Sequence, residues 1–145
     1  MKLLSLLILS CLSLLFYNDV ARPFDQYGNI CLPDEHARLD NFVKALQQQT
    51  EALGYIIVHA GKNSCINEAK HRAERAKKWL IKRGVKANRI LVKDAGYLDE
   101  VQTTLWIFPK DLPAPEGEEG LDKRKVSIHK CVDKVFARVY CVDRE

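Results

Sequence analysis

Apolar positions along the chain fall into blocks whose period changes from two to about 3.6 and back. Phe24 to Leu32, "FDQYGNICL", is apolar-rich and reads as a strand. Pro33 and Asp34 then supply helix-start signals, and Leu39, Phe42, Val43 and Leu46 recur at helical spacing. "GYIIVHAG", Gly54 to Gly61, is a continuous apolar run between glycines. Such a run suits a strand covered on both faces, so parallel pairing is expected in the sheet. A helix is expected from about Asn67 to the stop at Gly84, with Ala69, Ala73, Ala76 and Leu80 on one stripe. "RILVKDAGY" reads as a third strand, and the alternating "VQTTLWIFP", ended by Pro109, as a fourth.

The order β-α-β-α-β-β predicts an α/β (α+β) two-layer sandwich with both crossover helices on one face of the sheet. Residues 22–109 form this domain. "KDLPAPEGEEGLDKRK" is dense in proline, glycine and charge, so residues 110–124 are expected as a linker or long loop. Residues 125–145 read as a C-terminal extension, a β-hairpin of two short strands meeting around Val132 to Lys134. A hairpin of that size is marginal alone, so docking or a covalent staple is expected.

The N-terminus places one lysine before a largely apolar run from Leu3 to Tyr17, followed by polar residues. This is the pattern of a secretory signal over residues 1–21. The run falls short of the roughly 20 apolar residues of a spanning helix. An uncleaved anchor is the alternative, and the only route by which a membrane enters the reading. Export to the periplasm or the exterior follows.

Loss of residues 1–21 removes Cys11 and leaves Cys31, Cys65, Cys131 and Cys141, an even set bound for an oxidising compartment. Three pairings are open, and Cys31 with Cys65 and Cys131 with Cys141 is the one expected.

The formal net charge of +4 concentrates between Glu68 and Ile90, where nine basic residues face two acidic ones. Lys70, Lys77, Lys78 and Lys82 read as the wet face of the helix. Nucleic-acid binding requires aromatic faces along a basic groove, and export makes that partner unsuitable. No Cys-x-x-Cys, His-Glu-x-x-His, Gly-x-Ser-x-Gly or phosphate-binding glycine loop occurs, and oxidised cysteines cannot act as nucleophiles. A non-catalytic protein without cofactor or metal is expected. Arg72 stands apart from the lysines, because it borders the apolar stripe near the helix start, where amides and the helix dipole favour an anion.

"RAERAKKWLIKRGV" is similar to the second-helix motif of the outer-membrane protein A C-terminal (OmpA-like) domain. The matching residues are Arg72-Ala73, Trp79-Leu80 and Gly84-Val85, followed by Arg89-Ile90 and Gly96. The resemblance runs from about Phe24 to Pro109. It implies a cell-envelope protein that binds peptidoglycan non-covalently, with Arg72 taking a carboxylate of the stem peptide's diaminopimelate. Where that family carries an ammonium-binding aspartate, this chain has Gly61 and Lys62, in "VHAGKN". The corner expected here is therefore Lys62, Asn63, Arg72 and the helix-start amides, receptive to a carboxylate or phosphate, with Glu68 as a carboxylate from another direction. A secreted interaction module that has lost wall binding, partnered by another envelope protein, is the alternative.

Overall fold

A computed structural model describes residues 22–131, and the structural statements below concern these residues. Strand β1 (Asp25–Tyr27) leads into helix α1 (Leu32–Gln48), then β2 (Ala52–Gly61), the short β3 (Asn63–Cys65) and helix α2 (Glu68–Lys82). Strands β4 (Ile90–Leu98) and β5 (Gln102–Pro109) complete a four-stranded sheet in the order β1-β5-β2-β4. The β2–β4 pair is parallel, while β5 runs antiparallel to both β1 and β2. This is the mixed α+β architecture expected, with β2 central and parallel to a neighbour.

Alternation along the sheet sorts side chains to two faces. Ile56, Val58, Ala60, Ile90 and Leu105 point to the helices and meet Leu39, Phe42, Leu46, Ala69, Ala73, Ala76 and Leu80 in the main core. The alanine stripe of α2 lets its backbone approach the sheet closely. α2 ends as its sequence indicates: Gly84 takes φ +93°, and Val85 N–H returns to the Leu80 carbonyl at 3.1 Å. Only glycine adopts that conformation at no steric cost. β4 carries a bulge, since Val58 pairs with Asp94 but Ala60 with Tyr97. Gly96 at φ +86° absorbs the extra residue, and the Asp94 carboxylate accepts its N–H at 3.1 Å.

Three features depart from the sequence reading. The first strand is three residues rather than a run to Leu32, because α1 starts at Leu32 with Pro33 in its first turn. A strand absent from that reading, β3, follows β2 directly and pairs in parallel with β6 (Ser127–His129).

The third concerns the cysteines. Cys65 is bonded to Cys131, with Cα atoms 5.5 Å apart, which overturns both expected pairings, Cys31–Cys65 and Cys131–Cys141. The cause is the β3–β6 ladder: it sets Cys65 opposite His129, two residues before Cys131. Cys31 is disulfide-bonded too. The region read as a hairpin thus docks through β6 onto β3. Its expected second strand, Cys141 and the signal segment lie outside the described residues.

Residues 110–124, expected as a linker or long loop, form with 125 and 126 a long loop packed on the domain. They cross the sheet face opposite the helices as a strap, with Gly117 against Ile57 and His59, and Leu121 N–H donating to the Tyr97 carbonyl at 2.7 Å. Under and beside it lies a second apolar cluster of Tyr55, Ile57 and Phe108, flanked by Ala95 and Trp106.

Candidate functional site

The residues singled out in the sequence gather at one end of the sheet, where β2 leaves it and α2 begins. That end is where ligands bind in many open α/β sheets. Asn67 brings the chain into α2 through a left-handed turn, φ 60°, and its carbonyl accepts the His71 N–H at 3.0 Å.

Arg72 and Glu68 are brought together. Arg72 Nε donates to Glu68 Oε1 at 2.9 Å, and the same guanidinium donates through NH2 to Asn29 Oδ1 at 2.9 Å. Glu68 Oε2 accepts the Cys65 backbone N–H at 3.1 Å. Both charged side chains are largely shielded, at 11% and 14% exposure. Asn29, in the turn after β1, is a member of this corner that sequence reasoning missed. No short-range signal marks it, since it reaches Arg72 only through the fold.

Lys62 is engaged elsewhere. Its ammonium sits 2.9 Å from Asp99 Oδ1 in the turn between β4 and β5, exposed to water. The hydrogen bond to Asp99, with that carboxylate's charge, holds the lysine above its ordinary pKa. Asn63 is exposed in β3 opposite Ser127. The corner is therefore a mixed-charge one, in which each cation already faces a carboxylate, rather than a cluster of uncompensated positive charge.

A polar seam between α1 and α2 continues from this corner along the helix pair. Glu35, 3% exposed, receives Arg75 through Nε at 3.0 Å and NH2 at 2.8 Å. One turn further, the Trp79 indole N–H and Arg83 both donate to Asp40 at 2.8 Å. Those bonds, Trp79's foremost, hold the Asp40 carboxyl below its ordinary pKa. His36 stacks on Trp79 with ring centroids 3.5 Å apart, and Arg83 covers the indole at 4.6 Å. Partial burial there lowers the pKa of His36, with Arg75 and Arg83 adding to the effect against Glu35 and Asp40. Trp79 of the "WL" pair thus serves the helix–helix contact, while Leu80 is fully buried.

Elsewhere, His59 is buried in β2 with Nε2 3.0 Å from the Glu118 carbonyl oxygen, and His71 is exposed on α2. Among the described residues, no group of three or more His, Cys, Asp or Glu is placed to hold a metal ion. Among the same residues, no helix is long and apolar enough to cross a membrane. No protein-family model matches the chain, and no curated protein matches it in sequence.

Proposed function

We propose that this is an exported, non-catalytic cell-envelope protein that uses the corner of Arg72, Glu68 and Asn29 to hold a group of peptidoglycan. Export is supported by the cysteine chemistry, since Cys65 and Cys131 are joined and Cys31 is disulfide-bonded as well. Disulfides persist in oxidising compartments. The apolar run at residues 3–17 and the OmpA-like motif residues in α2 support the same reading.

The observation that carries the ligand class is the Arg72–Glu68 pair. A bare anion drawn to Arg72 displaces Glu68 and then faces its carboxylate, which repels it. A zwitterionic amino-acid centre avoids this: its carboxylate takes the guanidinium and its ammonium takes Glu68, so every charge keeps a partner. The stem peptide of peptidoglycan carries such centres. Lys62 and Asp99 offer a second cation–carboxylate pair at the same end of the sheet.

A second reading, an interaction module without wall binding, is favoured by the saturation of Arg72, whose guanidinium already holds two acceptors. Co-sedimentation with purified peptidoglycan separates the two. The first reading requires the protein in the pellet and its release by a free zwitterionic diamino acid, whereas sodium acetate at equal concentration should not release it. Protein that stays in the supernatant supports the second.

A further inference from the structure

We infer that the strap of residues 110–126 is a two-state element, closed over the back face of the sheet in this structure and opening as a unit while the rest of the domain stays folded. The first observation lies beneath it. His59 Nδ1 and the Trp106 indole Nε1 are buried without hydrogen-bond partners. Neither meets a polar protein atom while the strap is closed. A buried donor or acceptor left unpaired opposes the state that buries it. Water satisfies both once the strap lifts.

The second observation is incomplete packing. A half-open pocket of about 170 Å³ lies between the strap and the sheet, lined by Gln26, Thr104 and Trp106 below and by Glu116 and Glu118 above. The strap is therefore seated with solvent already at its edge.

The third is how few and how local the tethers are. Among the described residues, the strap is hydrogen-bonded to the back face by Glu118 carbonyl to His59 Nε2 at 3.0 Å, Glu118 Oε1 to Gln102 Nε2 at 3.2 Å and Leu121 N–H to the Tyr97 carbonyl at 2.7 Å. Its ends are held differently: one continues from β5 at Pro109, and the other enters β6, which is paired with β3 and followed by the Cys65–Cys131 bridge. A segment fixed at both ends and weakly held between them opens without releasing the sheet.

The closed seat is nonetheless shape-specific. A Cβ on Gly117 would come within 3.0 Å of Ile57 Cγ2 and 3.4 Å of the His59 ring. Opening uncovers Ile57 and the apolar side chains next to it, so the domain alternates between a covered and an exposed back face.

Native-state hydrogen exchange on the full chain tests this. The Leu121 amide and the Trp106 indole N–H are expected to exchange together, with protection on the order of 100-fold or more below the Ile56 and Ile57 amides of β2. Their exchange should also depend little on denaturant. Trp79, whose indole N–H is bonded to Asp40, serves as the reference indole and should not follow them. Gly117→Ala is expected to raise exchange at Leu121 and Trp106 at least several-fold while leaving β2 protection unchanged. If Leu121 and Trp106 exchange only with the Ile56 and Ile57 amides, by global unfolding, the inference is overturned. Fast Trp106 exchange with Leu121 protected like β2 overturns it too, because the strap then does not open as a unit.

Discussion

Arg72 and Glu68 hold each other across one turn of α2, Nε to Oε1 at 2.9 Å, and the second oxygen of Glu68 holds the Cys65 backbone N–H at 3.1 Å. One carboxylate thus ties Arg72 to the end of β3. Glu68→Ala removes both bonds and leaves a shielded guanidinium with less compensation. A loss of about 1–2 kcal/mol in stability is expected, with Glu68→Gln losing less because an amide oxygen still accepts the Cys65 N–H. Urea unfolding midpoints check this, and an unchanged midpoint for Glu68→Ala would show the pair to be a surface ornament.

The Cys65–Cys131 bridge closes a loop with a sequence separation of 66. On the chain-entropy model, the double variant Cys65→Ser/Cys131→Ser should lose about 4 kcal/mol. Peptide mapping without reductant should recover Cys65 linked to Cys131. Recovery of Cys65 linked to Cys31 would refute the β3–β6 pairing that brings the two sulfurs together.

Glu35 and Arg75 form the most shielded ion pair of the helix seam, with side-chain exposures of 4% and 28%. Removing one partner of a fully buried pair costs about 3–5 kcal/mol. Because Arg75 retains access to water, the expected loss for Glu35→Ala is at the lower end, about 3 kcal/mol. Thermal unfolding of the variant beside Arg75→Ala and the double variant measures the coupling; purely additive losses would contradict a direct pair.

His36 contributes a pH dependence whose sign follows from its surroundings. Its pKa in the folded protein lies below the ordinary 6.5, chiefly through desolvation against Trp79. The unfolded chain therefore binds the proton more tightly. The stacking contribution is complete above pH 6.5 and is lost as pH falls through the lowered folded value. Melting temperatures followed downward from neutral pH should fall less steeply in His36→Gln than in the parent. A steeper fall in the variant would reverse the assigned direction.

How much of this was legible in the sequence depends on the range of the interaction. The stripe Ala69, Ala73, Ala76 and Leu80 is a local period, and all four are buried. The run "GYIIVHAG" marks the central strand because both its faces are covered, by helices on one side and the strap on the other. Arg72 and Glu68 stand at i,i+4 spacing, yet Glu68 was read as facing a ligand rather than pairing with Arg72. Asn29 and the Cys65–Cys131 bridge were not readable, since each depends on chain segments far apart in sequence meeting at one place. β3 is three residues long, too short for any period to show. Residues 110–124 carry the composition of a linker or loop and were read as one, yet Gly117 and Gly120 are among the points where the strap touches the sheet. Composition reports what a segment cannot pack, not where it lies.

The ligand assignment stands on the mixed-charge corner, and co-sedimentation with purified peptidoglycan addresses it most directly. The intact protein is expected in the pellet. Arg72→Ala, verified as folded by circular dichroism, is expected to lose most of that retention, on the order of tenfold or more in affinity for a lost charge-assisted pair. Equal retention of the parent and the folded Arg72→Ala protein, or a parent that never leaves the supernatant, would contradict a wall-binding role for this corner.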